Sequence, residues 1–179
     1  MNWRTVAPML LCLAACKDTT STDTKLAAEA ALLDSWTVDA TLISAITAQN
    51  ALNLPLTTIQ ARDTAWVAGH AAALVTEMTT NACAARLRAL AALRPEFGES
   101  FVMDNQGALV CATNPTSDYW QGDEAKWQKS FNNGAGGTFI DSVQLDASSN
   151  THLAQISRSI SSNGKVVGAL TVGIKVDLL

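Results

Sequence analysis

Apolar side chains fall at two different spacings along this chain, and the change comes near residue 95. Before it, Leu26, Leu33, Trp36, Ile43 and Ile46 recur at helical intervals, with Ala30 and Ala40 on the same stripe. That pattern predicts one long amphipathic helix from Lys25 to Leu52, ended by Pro55. Thr57 and Gln60 have the spacing of a capping box, so a second helix carrying Ile59 and Trp66 is expected to start there. Gly69 and Asn81 read as breaks. A further helix is expected from Ala82 to Leu93, stopped at Arg94-Pro95, because the residue before a proline is pushed out of the helical region.

Beyond Pro95 the period becomes two. Phe101 and Met103 flank Val102 in a first strand, Asp104 to Gly107 make a turn, and Leu109, Cys111 and Thr113 share one face of a second strand. Asp123 is placed to cap a short helix carrying Trp127 and Phe131 at i and i+4. A glycine-rich turn, Asn132 to Gly137, leads to a third strand with Phe139, Val143 and Leu145 on one side. A fourth strand runs from His152 to Ser161, Asn163-Gly164 is a hairpin signal, and a fifth strand, Val166 to Val176, is long enough to be central. Gly168 and Gly173 in that last strand fall on opposite faces, implying close approach on both. Helices followed by about five antiparallel strands make an α+β fold, with the long helix covering the sheet.

The first residues stand outside that fold. Met1 to Cys16, MNWRTVAPMLLCLAAC, has one positive charge at Arg4, a short apolar stretch, and the ending Leu13-Ala14-Ala15-Cys16. It reads as an export signal over residues 1–15, too short to span a bilayer. Its ending resembles the bacterial lipobox, in which the cysteine is lipidated and becomes the mature N-terminus. Residues 16–24 then read as a flexible tether, and 25–179 as one domain with a helical part, 25–94, and a sheet part, 95–179. The expected location is the periplasmic face of a bacterial membrane, held by lipid on Cys16.

Charge narrows the partners. Twelve basic residues face sixteen acidic ones, a net of −4 that deepens by one when Arg4 leaves with the signal. No basic patch favours nucleic acid. Of the four cysteines, Cys12 goes with the signal and Cys16 takes lipid, which leaves Cys83 and Cys111. In an oxidising compartment these two either form a disulfide or pack apart in the core. His70 and His152 have no partner at ligand spacing, so no metal and no cofactor is expected.

Three segments together carry a family resemblance: "FVMDNQGALVCAT", then "SDYWQGDEAKW", then the closing "GKVVGALTVGIKVDLL". Residues 97–179 resemble the extracytoplasmic PAS-like sensor domains of the Cache (PDC-type) class, and the preceding helix is where that class has one. The resemblance implies a strand, a turn and a second strand, followed by a helical loop that closes over a small-ligand pocket. It implies as ligand an amino acid, an amine or an organic acid. Most such domains feed a kinase, cyclase or chemoreceptor module. This chain ends at Leu179, directly after the last strand, so the expectation is an accessory or co-receptor working with a membrane receptor or kinase partner. The alternative is an envelope interaction protein whose pocket is closed.

The candidate chemistry sits mostly in Ser117 to Trp127. Tyr119, Trp120 and Trp127 offer apolar walls with polar edges, and Asp118 or Asp123 offers a carboxylate to an ammonium group. Packing of the same aromatics under the loop is the competing reading. Asp123-Glu124 is not a facing carboxylate pair, because neighbours on a helix point about 100° apart. With no nucleophile motif and no base partner for a serine, the chain is read as a non-enzyme. Arg158, between Ile156 and Ile160 on one strand face, either pairs with a carboxylate such as Asp141, snorkels at the sheet edge, or recognises an anionic ligand.

Overall fold

The apolar stripe of residues 26–46 does not run as one helix. In the computed structural model, which describes residues 19–146 and 151–179, the chain forms α1 (Thr19–Leu32), α2 (Asp34–Thr37) and α3 (Ala40–Ala51) in its place. Asp39 explains the second break. Its backbone is extended, and its carboxylate accepts the N–H groups of Thr41 and Leu42, which starts α3 afresh. α1 in turn begins at Thr19, inside the stretch read as a tether. The signal peptide and Cys16 lie outside the described residues.

Asp39 also accepts a bond from Arg86 at 2.8 Å. Burial pushes its carboxyl up, but the Arg86 bond and the two amide bonds outweigh that and hold the pKa below the ordinary value. A lowered carboxylate stabilises the fold above its unfolded pKa and loses that contribution as pH falls through the lowered folded value. Asp39→Ala is therefore expected to cost about 1 kcal/mol at neutral pH. Urea melts of the two proteins should converge as pH falls below about 4. A constant difference down to acid pH would assign the loss to packing.

α4 (Leu56–Val67) starts at Pro55, whose fixed φ presets the first turn, and not through a Thr57–Gln60 capping box; both of those residues lie within the helix. Ile59 and Trp66 are buried as expected. Gly69, with φ of +73°, ends the helical path, and α5 (Ala72–Thr80) follows. Asn81 then caps α6 (Ala82–Ala91) through the Ala84 N–H.

Six antiparallel strands make one sheet: β1 (Phe97–Met103), β2 (Leu109–Ala112), β3 (Thr138–Ile140), β4 (Gln144–Asp146), β5 (Thr151–Ser162) and β6 (Lys165–Lys175). The order is β2-β1-β6-β5-β3, with β4 also paired to β5, so the last strand is central. The expected third strand is two short ones along the same edge of β5, interrupted at Asp141 to Val143. Val143 and Leu145 are exposed and so supply no core face. Between β2 and β3 lies α7 (Ala125–Phe131), where Trp127 and Phe131 stack with ring centroids 4.9 Å apart.

The two sheet faces differ in character. On one, Val102, Ala154, Ile156, Ile160, Leu170, Val172 and Ile174 pack against α1, α2, α3 and α6 as the main core. Trp36 meets Phe97 edge to face at 5.3 Å, tying α2 to β1. Gly168 lies on this face, against the Met103 carbonyl and the Ile46 side chain. Cys83 of α6 is bonded to Cys111 of β2, with a Cα–Cα distance of 5.8 Å. The other face carries Phe101, Met103 and Ala169 beside polar side chains, and it is this face that α7 partly covers.

Candidate functional site

The stretch Ser117 to Trp127 is tied down bond by bond. Asp63 of α4 accepts the N–H groups of both Tyr119 and Trp120 at 2.9 Å. The Trp120 indole donates to the Gln106 carbonyl at 2.8 Å and the Trp127 indole to the Asp104 carbonyl at 3.1 Å. These two carbonyls belong to the turn between β1 and β2, which is built around Asp104: its carboxylate accepts from Gln106, Ala108 and the Gln49 amide. Burial raises the Asp104 pKa in spite of those bonds. Gly107, at φ of +84°, brings the turn against Gly122, where any side chain would collide. Both indole donors are thus spent on backbone carbonyls.

Tyr119 is fully buried beside Trp66, with ring centroids 5.9 Å apart. Among the described residues its hydroxyl has no hydrogen bond of good geometry, although the Arg62 guanidinium approaches it. Burial raises its pKa; the Arg62 guanidinium nearby opposes that rise. Asp118 is half-buried and accepts from the Gln121 amide, and burial followed by the neighbouring Glu124 charge raises its pKa. Asp123 does not cap α7. Glu124 holds the preceding position with no side-chain bond to the helix, and Asp123 is exposed. Glu124 pairs instead with Lys126 at 2.8 Å, and the Lys126 ammonium sits 5.3 Å from the centre of the Phe101 ring.

Arg158 belongs to the other face. It donates to the Ala30 carbonyl at 2.8 Å and pairs with Asp34, so its carboxylate partner is on α2 and not Asp141. Alternation had placed it beside Ile156 and Ile160 correctly; the break between α1 and α2 that delivers Asp34 carried no signal of its own.

Open volume lies farther along the polar face. Ser157 and Thr171, both fully buried, bond to each other at 2.8 Å, and Gln155 donates to Glu99 at 3.1 Å. Beside them a groove of about 220 Å³ is lined by Glu99, Asp141, Gln155, Leu145, Leu153 and Gly173. Two carboxylates and two amides, those of Gln144 and Gln155, line it, with no basic side chain. Asp141 and Ser142 also border a hollow with Asp23 and Leu26 of α1. No residue of 117–127 lines either space. Sequence reasoning missed Glu99, Gln155 and Asp141 as a group, although the polar alternation Leu153, Gln155, Ser157, Ser159 marked the face that carries them.

No known family profile matches the chain, and no curated protein does. Similar solved structures include sensor and extracellular domains. The sensor domain of the V. cholerae histidine kinase DctB has 13% identity and a TM-score of 0.47, over 89% of this chain and 52% of that one. The extracellular domain of the putative histidine kinase rpHK1S-Z16 has 19% identity and a TM-score of 0.42, over 72% and 58%. The sensory domain of the C. jejuni chemoreceptor Tlp3 with isoleucine bound has 18% identity and a TM-score of 0.41, over 87% and 62%. The chain thus spans between half and two thirds of the length of these structures. Among the described residues no helix is long and apolar enough to cross a membrane, and no three His, Cys, Asp or Glu side chains gather as a metal site.

Proposed function

We propose that this chain is a lipid-anchored extracytoplasmic domain that binds a small amine-bearing molecule and serves as a sensory domain or co-receptor for a membrane receptor or kinase. The observation that carries the reading is the groove on the half of the polar sheet face that α7 leaves open. Buried polar floor residues are expensive unless they are bonded, and here Gln155 and Glu99 reach the edge of a concave space with apolar walls at Leu145 and Leu153. Glu99 and Asp141 give that space a negative character that favours an ammonium group over a carboxylate. The aromatic corner is then the support that fixes the β1–β2 turn and α7, and the lid reading passes from its indoles to the helix that follows. Lipid on Cys16 supplies the anchor in this proposal. The activity is binding, with no chemical step.

A screen of small amines and amino acids by thermal shift tests it, since a ligand that binds only the folded state raises Tm. Glu99→Gln keeps shape and removes one charge, so the dissociation constant for the best ligand is expected to rise about tenfold. An unchanged constant would remove the ligand from the groove. The competing reading is an envelope interaction protein, favoured by the close packing of α7 over Ser157 and Thr171. A screen with no Tm shift, together with co-purification of a defined envelope protein, would favour it.

A further inference from the structure

Glu29 of α1 and Glu96, just before β1, are nearly closed off from solvent, at 6% and 4% exposure, and they share one cation. The Arg94 Nη2 donates to the Glu29 Oε1 at 3.1 Å and also pairs with the Glu96 Oε1. The second Glu29 oxygen, Oε2, is buried and has no partner among the described residues.

The other charges around α1 are engaged elsewhere. Lys25, one turn earlier, donates to the Leu179 carbonyl at 2.9 Å, and Asp23 borders the hollow beside Asp141. Arg158 of β5 donates to the Ala30 carbonyl and pairs with Asp34 of α2. Lys175 of β6 donates to the Pro95 carbonyl at 3.2 Å, and Asp177 beyond it pairs with His152. Among the described residues, then, Arg94 is the cation within ion-pair range of Glu29. Its own side chain is 39% exposed, so water weakens its pull.

Two carboxylates against one guanidinium leave a negative charge without a counter-ion in a dry place. Such a charge is costly, and taking up a proton is the ordinary way to remove it. Burial, opposed by Arg94 and aided by the Glu96 charge, raises the Glu29 pKa.

We propose that Glu29 is a proton-operated latch that holds α1 to the rest of the domain: protonated, it closes the contact, and ionised, it loosens it. Glu29 lies on the core-facing stripe of α1 between Leu26 and Leu33, and it reaches Arg94 across 65 residues of sequence. An ionised Glu29 gains water only by lifting that turn of α1. The sign separates this from an ordinary ion pair, which tightens as pH rises and its carboxylate ionises. A raised folded pKa works the other way. Its stabilisation is whole below the ordinary glutamate value and is lost as pH rises through the raised one.

Hydrogen exchange of the α1 amides, corrected for intrinsic rates, tests this in the protein and in Glu29→Gln. The variant keeps the shape and the acceptor for Arg94 but cannot ionise. Every other titrating group is common to the two proteins, so their difference reports Glu29. At about pH 4 the protection of α1 is expected to match in both, and by about pH 7 the unsubstituted protein should be several-fold less protected than the variant. Carboxyl NMR, with the Glu29 signal assigned through its own backbone, should give a titration midpoint above the ordinary glutamate range. Glu96→Gln should move that midpoint down, because Arg94 then serves Glu29 alone. Greater protection of α1 in the unsubstituted protein at neutral pH overturns the proposal, since Arg94 would then be holding an ionised Glu29. So does a difference that stays constant with pH, or a Glu29 midpoint within or below the ordinary range. Should Glu29→Gln fail to fold, the midpoint and its response to Glu96→Gln decide the matter by themselves.

Discussion

Replacing Cys83 and Cys111 together by alanine is expected to lower the stability of the folded domain by about 2–5 kcal/mol. The bond joins α6 to β2 across 28 residues, and that loop includes β1 and the junction where helices give way to sheet. Opening it frees the unfolded chain and leaves both alanines in a buried site, where each removed sulfur leaves a small void. For a domain of this size the change corresponds to a fall in Tm of about 5–15 °C. Reductant should produce a similar fall in the native protein and none in the double variant. Thiol titration of the denatured, unreduced protein should find neither residue free. Two free thiols, or equal melting temperatures with and without reductant, would show that the bond does not form.

Gly168→Ala should be nearly as damaging, although alanine is the smallest substitution available. The added Cβ would meet the Met103 carbonyl oxygen of β1, with the Ile46 side chain 3.1 Å away. A backbone oxygen cannot rotate aside as a side chain can, so β1 and β6 must separate where they pair Met103 with Ala169. The expected loss is about 3 kcal/mol, at the upper end for overpacking. Urea denaturation gives the comparison, with Gly164→Ala in the β5–β6 turn as reference. That site has open space around it and a φ of +75°, so its loss comes from backbone strain and not from collision. A Gly168→Ala loss under about 1 kcal/mol would mean the strands part more easily than their packing implies.

How far these elements could be read in advance depended on whether local or distant partners set them. The β5–β6 hairpin was legible because Asn163 and Gly164 state the turn themselves, both at positive φ, and because the alternation on either side sorts the faces. The division of the first helix was not. Leu26, Leu33, Trp36, Ile43 and Ile46 keep their spacing across two breaks because they still face the same core, although Ala40 on the same stripe is exposed, and only the carboxylate of Asp39 marks one restart. Val143 and Leu145 misled in the opposite sense: they alternate as strand residues do, yet they lie at the sheet edge, where one side of the pleat faces water. The aromatics of residues 119–127 were rightly noticed as a dense cluster. Their destination depended on the carbonyls of Gln106 and Asp104, 14 and 23 residues earlier, and no pattern within the segment reports that.

The start of α1 at Thr19 bears on the liquid the protein samples. With lipid on Cys16, as proposed, only Lys17 and Asp18 separate the anchor from the helix, a reach of at most about 11 Å. The sheet groove shares Asp141 and Ser142 with the hollow beside Asp23 and Leu26, so it belongs to the same end of the domain as that short leash. A groove held there opens close to the headgroup layer, within a few screening lengths of it, each about 8 Å at physiological salt. Anionic lipids enrich cations in that layer relative to bulk solution. An amine seeking Glu99 and Asp141 would arrive from a reservoir already concentrated in its favour, and the occupancy of the groove would follow the lipid composition of the membrane as well as the amount of ligand in the compartment.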